Sequence, residues 1–276
     1  MRCMRIPFRK MHGAGNDFVI LDARQAELPP ITPQGARWLA DRNFGVGAEQ
    51  IIRLEPTQEA DVFMRILNPD GSEAGACGNA TRCVARIIFD ETGRDHAVVQ
   101  TISGLLEVRA TADGLIEADM GPARLGWAEV PLARAMDTLH LPLAGDPAAC
   151  SMGNPHATFF VPDLAAVDVA GRGPVLERDP LFPDRANIGF AQILGPEEIR
   201  LVMWERGAGM TMACGSGACA TLVNAHRRGL TGRRARVHLP GGTLTITWRA
   251  DGHVLMEGPT ALSFLGELDG TRLVAA

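Results

Sequence analysis

The sequence predicts an α+β fold built from two pseudo-symmetric copies of one domain, each a mixed β-sheet or barrel around a central helix. Three observations carry this reading. Two short stretches resemble each other, EAGACGNATRCVARI around Cys77 and TMACGSGACATLVNA around Cys214. A shift of 137 lays Ala76-Cys77-Gly78 on Ala213-Cys214-Gly215, and both stretches run on to Thr-Gly-Arg, at Thr92 and Thr231. A hairpin pattern then follows each: at a shift of 138, Gly104, Leu106, Ala112, Asp113 and Gly114 fall on Gly242, Leu244, Ala250, Asp251 and Gly252.

Weaker matches extend the repeat toward the N-terminus. Met11, Phe18 and Asp22 match Met152, Phe159 and Asp163 at a shift of 141, and Gly47, Gln50 and Ile51 match Gly189, Gln192 and Ile193 at 142. Loop insertions produce a drift of this size. The first domain is therefore expected over residues 1–121 and to include a C-terminal strand, 264–276. The second is expected over 122–263.

In order, FRKMHGAGNDFVILDAR reads as strand, glycine-rich turn and strand. ITPQGARWLADR has helical spacing, with Thr32 as cap and Pro33 in the first turn. EQIIRLEP and ADVFMRILNPDG read as strands, the second closed by the turn Asn68-Pro69-Asp70-Gly71. A helix from about Cys77 to Asp90 follows, then a hairpin about Ala112-Asp113-Gly114. Leu125 to Leu143 is the link, with prolines at 131 and 142. The second copy reads as the strand ATFFVP, a short helix near Leu164–Val169 and the strands IGFAQIL and EIRLVMWE. A helix from about Cys214 to Arg228 and a second hairpin complete it. The tail SFLGELDGTRLVAA is one strand or two.

Composition excludes several classes of function. With 46% apolar residues and 21% scattered charges the chain supports a packed core. A net charge of −5 without a basic cluster argues against a nucleic-acid partner. The basic N-terminus lacks the apolar stretch of a secretory signal, and no apolar run is long enough to cross a bilayer. A cytoplasmic protein without membrane contact is expected. The six cysteines are Cys3, Cys77, Cys83, Cys150, Cys214 and Cys219; they include no C-x-x-C pair and no zinc spacing, so neither a disulfide scaffold nor a metal site is expected.

Cys77 and Cys214 stand where helices begin. A helix N-terminus presents unpaired N–H groups and a partial positive charge, which favours thiolate and draws a thiol from about 8.5 toward neutrality. The same N–H groups bind a carboxylate, and Gly78 and Gly215 allow close approach. Inverting a stereocentre by deprotonation needs a base on one face of the carbon and an acid on the other. Two thiols, one ionised and one protonated, would supply that pair for a racemase or epimerase. Singly, each cysteine would read as a small buried hydrophobe; their recurrence in matched glycine-rich settings argues for function. A redox pair of Cys77 and Cys214 explains two cysteines but not the polar residues beside them. Cys83 and Cys219 read as core, and Cys3 and Cys150 as incidental. The polar residues are Asn16, Gln50, Asn68, Asn154, His156, Asn187, Glu205 and Arg206, amides with an Arg for a carboxylate and a Glu for an ammonium. Each alone has an ordinary structural reading in turns or at the surface.

HGAGNDF, NPDGSEAGACGNATRC, MGNPHA, NIGFAQ and ERGAGMTMACGSGACA, in this order and spacing, resemble the diaminopimelate epimerases over nearly the whole chain. The resemblance implies a cofactor-independent isomerase that interconverts LL- and meso-2,6-diaminopimelate, in lysine and peptidoglycan precursor synthesis, with Cys77 and Cys214 as acid/base thiols. It implies that the N–H groups of Gly78, Asn79, Gly215 and Ser216 hold the reacting carboxylate. Asn68, Asn154, Asn187 and Arg206 would hold the distal one. Asn16, Gln50 and Glu205 complete the substrate contacts, and His156 and Glu205 tune the thiols. A return of the C-terminal strand to the first domain and a homodimer are expected from the resemblance alone. A relative racemising another amino acid, such as histidine or proline, is the competing reading; Arg206 with three asparagines favours a substrate with a second carboxylate.

Overall fold

The computed structural model describes residues 4–274 and divides into two compact units, one of residues up to Ala118 together with those from Pro259 on, the other of Asp119–Gly258. Cys3 lies outside the described residues.

In the first unit β1 (Arg5–Gly13) and β2 (Asn16–Asp22) form an antiparallel hairpin across Ala14-Gly15, both at positive φ. Helix α1 (Pro33–Ala40) then carries the chain to β3 (Gln50–Glu55), parallel to β2. Both expected start signals operate: Thr32 accepts the Gly35 N–H, and Pro33 opens the first turn. Antiparallel β4 (Val62–Leu67) and the two-residue β5 (Glu73–Ala74) flank the Asn68–Gly71 turn. Helix α2 (Gly78–Thr92) crosses over to β6 (His96–Thr101), parallel to β4, and β7 (Gly104–Ala110) and the start of β8 (Ile116–Pro122), which runs on past the unit's end at Ala118, finish the meander. The C-terminal strand expected over 264–276 runs instead over Ala261–Asp269, where it pairs antiparallel with β1, and a 3-10 turn, Gly270–Arg272, follows it; residues 275 and 276 lie outside the described residues.

The second unit repeats this order. β9 (Ala148–Ser151) and β10 (Pro155–Phe160) are antiparallel, and helix α3 (Val169–Glu177) leads to β11 (Asn187–Gly195), parallel to β10. β12 (Glu198–Glu205) and the two-residue β13 (Gly209–Met210) precede α4 (Gly215–Arg227). The chain crosses over to β14 (Arg234–Leu239), parallel to β12, and ends the unit in antiparallel β15 (Gly242–Trp248) and β16 (His253–Gly258). Each unit thus shows the same succession of parallel and antiparallel pairings, which is the duplication the sequence repeats predict. The sheets are mixed and open: among the described residues no strand closes either into the barrel that was the alternative expectation.

Burial explains why each central helix stays in place. Eleven of the fifteen residues of α2 are buried, from Gly78 through Ala85 and Ile87 to Phe89, against β1, β6 and β7. In α4 every residue from Gly217 to Ala225 is buried. Helices buried on nearly every side form the centres of their units, and Cys83 and Cys219, fully buried, are core residues as the sequence indicated. Cys150 is likewise fully buried in β9.

The structure differs from the sequence reading in three places. The strands HAVVQT and RARVHL, following Thr-Gly-Arg in each copy, join each meander; the sequence pattern showed only the hairpin after them. β9 is the strand AACS, without a β-branched residue to mark it. The helix expected near Leu164–Val169 is a single 3-10 turn, Leu164–Ala166, and the true helix α3 begins at Val169. Its sequence VAGRGPVLE contains Gly171, Gly173 and an interior Pro174. These cost about 1, 1 and 3 kcal/mol relative to alanine, so packing, not propensity, holds it. Gly173 shows how: a Cβ there would lie 2.5 Å from the Trp204 ring, so only glycine lets the helix close onto β12.

Candidate active site

In the first unit the loop before α2 delivers Cys77 as the helix N-cap, in extended conformation (φ −147°, ψ 104°). Gly78 and Asn79 are then the first helical residues. The Cys77 thiol donates to Asn16 Oδ1 at 3.6 Å, and Asn79 Nδ2 donates to the same oxygen at 3.1 Å. Asn16 comes from the start of β2, and its amide is turned so by Glu49 at the other side, whose carboxylate accepts from Asn16 Nδ2. The buried Arg82 donates to Asn79 Oδ1 at 2.9 Å from one turn further along α2. Behind Glu49 lies a buried ion pair: Lys10 donates to Asp17 and to the Gly47 carbonyl, and Asp17 accepts the Glu49 N–H. Lys10 and Arg42 hold the Asp17 carboxyl below its usual range although burial opposes them. Gln50, at the start of β3, meets Asn68, in the turn just after β4: Gln50 Nε2 donates to Asn68 Oδ1 at 3.1 Å, while Asn68 Nδ2 donates to Ser72.

The second unit repeats the backbone and changes the surroundings. Cys214 is again an extended N-cap (φ −114°, ψ 107°), and its sulfur accepts the Gly217 N–H at 3.4 Å. Ser216 Oγ lies 3.6 Å from that sulfur and accepts from Asn154 Nδ2 at 3.3 Å. Asn154 Oδ1 in turn faces His156 Nε2 at 3.0 Å. As Asn154 offers an oxygen there, His156 carries its proton on Nε2. His156 is buried, and burial together with the Arg206 charge lowers its pKa to about 3, so the ring is neutral. Asn187 accepts the Arg206 N–H at 2.9 Å and donates to the Pro155 carbonyl, and the Arg206 guanidinium donates to the Asp184 carbonyl.

Glu205 is the acidic neighbour of Cys214. Its carboxylate accepts from Thr211 Oγ1, and burial raises its pKa against the hydrogen bonds from Thr211 and Cys214. The Cys214 thiol is pushed well above its usual value, first by burial and next by the Glu205 charge. This corrects the expectation of a thiol drawn toward neutrality by the helix start. The Gly217 N–H and Ser216 do favour thiolate, but burial and a carboxylate outweigh them. Burial likewise pushes the Cys83 and Cys150 thiols up to about 12, as befits inert core positions.

Thus the first unit gathers Asn16, Cys77, Gly78 and Asn79, and pairs Gln50 with Asn68. The second gathers Asn154, His156, Glu205, Cys214, Gly215 and Ser216, and ties Asn187 to Arg206. Glu49 and Thr211 were missed. Glu49 directly precedes Gln50, and Thr211 lies inside ERGAGMTMACGSGACA, so a polar side chain beside residues already singled out is the signal that would have found them. Among the described residues no group of His, Cys, Asp and Glu has the arrangement of a metal site, and no helix is long and apolar enough to cross a membrane.

Known structures share this architecture at low sequence identity. A phenazine biosynthesis protein of the PhzF family from Bacillus anthracis aligns with a TM-score of 0.69 at 15% identity, covering 96% of this chain and 99% of its own. A probable proline racemase from Agrobacterium radiobacter gives 0.68 at 17% identity, with 95% and 92% covered. They define the class of fold, a duplicated α+β scaffold that this chain shares with those two proteins. Sequence resolves the family within it. The diaminopimelate epimerase model matches residues 8–126 and 148–262. The diaminopimelate epimerase of Acidiphilium cryptum is 60% identical over 271 residues (97% of this chain, 98% of that protein), and that of Rhodospirillum centenum 60% over 272 (96% and 93%). The chain belongs to the diaminopimelate epimerase family and is an isomerase.

Proposed function

We propose that the protein converts LL-2,6-diaminopimelate to meso-2,6-diaminopimelate without a cofactor, through Cys77 and Cys214 as the two acid/base groups, in the synthesis of lysine and peptidoglycan precursors. The observation that carries this reading is the recurrence, once per unit, of a cysteine as N-cap of a buried helix in a chain 60% identical to named diaminopimelate epimerases. One cysteine, as thiolate, takes the α-proton. The other, as thiol, delivers a proton to the opposite face, so the charge moves from one sulfur to the other and the substrate's net charge is unchanged. The N–H groups of Gly78, Asn79, Gly215 and Ser216 hold the reacting carboxylate where negative charge spreads in the carbanion. Asn68, Asn154, Asn187 and Arg206 hold the distal carboxylate, and Asn16, Gln50 and Glu205 contribute the remaining contacts. His156, neutral and fixed through Asn154, and Glu205, beside Cys214, set the environment in which the thiols change charge.

Incubation with LL-diaminopimelate in D₂O, with no cofactor added, is expected to place deuterium at one α-carbon and to yield the meso isomer. Cys77→Ala and Cys214→Ala each abolish this. Deuteration that survives either substitution refutes the two-thiol mechanism, and exchange into a different amino acid in preference to diaminopimelate refutes the substrate.

The enzyme is read as a cytoplasmic homodimer whose two domains correspond to residues 1–121 with the C-terminal strand and 122–263. Exposed apolar side chains on the C-terminal strand support the dimer: Leu262, Phe264 and Leu265 are 52%, 48% and 67% exposed on a strand paired with β1, and a second copy would cover them. Light scattering should give twice the 29.5 kDa chain mass, and a value at that mass refutes it.

A further inference from the structure

We propose that Glu177 is a positioning residue for substrate binding, holding the turn that carries Glu205 and Arg206; this rests on the epimerase reading above. Glu177 ends helix α3 and is 3% exposed, an acidic side chain buried at the negative end of a helix. Its carboxylate accepts the indole N–H of Trp204 at 2.8 Å and the N–H of Gly207 at 3.2 Å, with Arg185 3.6 Å away. Its own carbonyl accepts the Ala186 N–H at 3.2 Å. One residue therefore fastens both sides of Glu205-Arg206, and also the chain entering Asn187. Asn187 closes the arrangement by accepting the Arg206 N–H at 2.9 Å.

Around Glu177 several local preferences are overridden together. The helix that presents it contains two glycines and a proline, and Gly173 is there so that α3 can close onto the Trp204 ring. Gly207 takes a positive φ of 78° at the point where its N–H meets the carboxylate. Features that each oppose local stability and all converge on one turn indicate that the placement of that turn is what they serve. Both oxygens of Glu177 face N–H donors, so an acceptor-only group is required. A glutamine would turn an NH₂ toward one of them.

The test compares Glu177→Gln with wild type, using LL-diaminopimelate and measuring KM and kcat separately. KM is expected to rise about tenfold, equivalent to about 1.4 kcal/mol, with kcat within about threefold. In an Arg206→Gln background the same change is expected to add less than twofold, because the two act as one unit. Trp204→Phe removes one donor and keeps the carboxylate, and is expected to raise KM about threefold, so the proposal remains testable should Glu177→Gln not fold. Unchanged KM in the folded variants overturns the proposal, as does a Glu177→Gln effect that is fully additive with Arg206→Gln. Wild-type protein that is inactive on diaminopimelate overturns the epimerase reading itself, and this one with it.

Discussion

His156 offers a prediction whose size follows from the structure. It is 1% exposed, hydrogen-bonded through Nε2 to Asn154, and its pKa is lowered to about 3 by burial and by the charge of Arg206. In the unfolded chain its pKa is about 6.5. Between these values the unfolded state binds a proton that the folded state refuses, so stability rises with pH across that window and falls as the solution is acidified through pH 6.5. At pH 7 the penalty is about 0.2 kcal/mol, and at pH 5 it is about 2 kcal/mol. The pH 5 figure depends only on the folded value lying well below 5. His156→Gln removes the titrating group and keeps an amide N–H for Asn154. Urea unfolding at pH 7 and pH 5 should therefore show wild type losing about 2 kcal/mol more than the variant over this interval; the other titrating groups cancel in the comparison. Equal losses in the two proteins, or an imidazole titrating near 6.5 in the folded protein, would refute the assignment of a buried neutral ring.

Other substitutions test neighbouring features. Glu205→Gln removes the charge that disfavours the Cys214 thiolate, so alkylation of Cys214 by iodoacetamide should set in at lower pH than in wild type; an unchanged or higher profile contradicts the pairing. Gly217→Ala would put a Cβ 2.6 Å from Met203 Cε and 3.1 Å from Cys214 Sγ. It should cost about 1–3 kcal/mol by overpacking, offset by about 1 kcal/mol of helix propensity, and lower kcat through the displaced sulfur. Asn224→Leu strands the Ala148 carbonyl, the Thr158 hydroxyl and one Arg227 donor, and chemical denaturation should show a loss of about 3–5 kcal/mol. Thr32→Ala deletes the cap of α1 and the hydroxyl's bond to the Leu273 carbonyl, with an expected loss of about 1–2 kcal/mol in the same assay.

What the sequence reveals of this fold depends on whether the determining interaction is local. Thr32 and Pro33 mark α1 because a cap acts within three residues. The two cysteine N-caps are legible for the same reason, reinforced by their repetition. The duplication is legible because hairpin glycines such as Gly114 and Gly252 hold positive-φ positions in both copies. Helix α3 is not legible, because Gly171, Gly173 and Pro174 deny it locally and only Trp204, about thirty residues later, accounts for Gly173. β9 and the two-residue strands β5 and β13 are likewise fixed by their partners and not by their own composition. At the site, the residue types could be read but the charge state of Cys214 could not. The helix-start argument is local, whereas burial and the approach of Glu205 are products of the folded chain.

That distinction bears on how a duplicated scaffold would support the two-base reaction proposed above. The repeat gives each unit the same backbone device, an extended cysteine ahead of a buried helix. Identical surroundings would give both thiols the same proton affinity, whereas the mechanism we propose needs one ionised and one protonated. The divergence lies in the side chains around each cap. Cys77 is half-buried and donates to the carbonyl of Asn16, an amide that Glu49 orients. Cys214 is buried, accepts the Gly217 N–H and has the Glu205 carboxylate beside it. The matched backbone places both sulfurs at a helix start, and the unmatched neighbours break their equivalence. A substitution that makes the two settings more alike should therefore slow the reaction even where both cysteines are intact, and Glu205→Gln, which removes the charge peculiar to Cys214, is the most direct case.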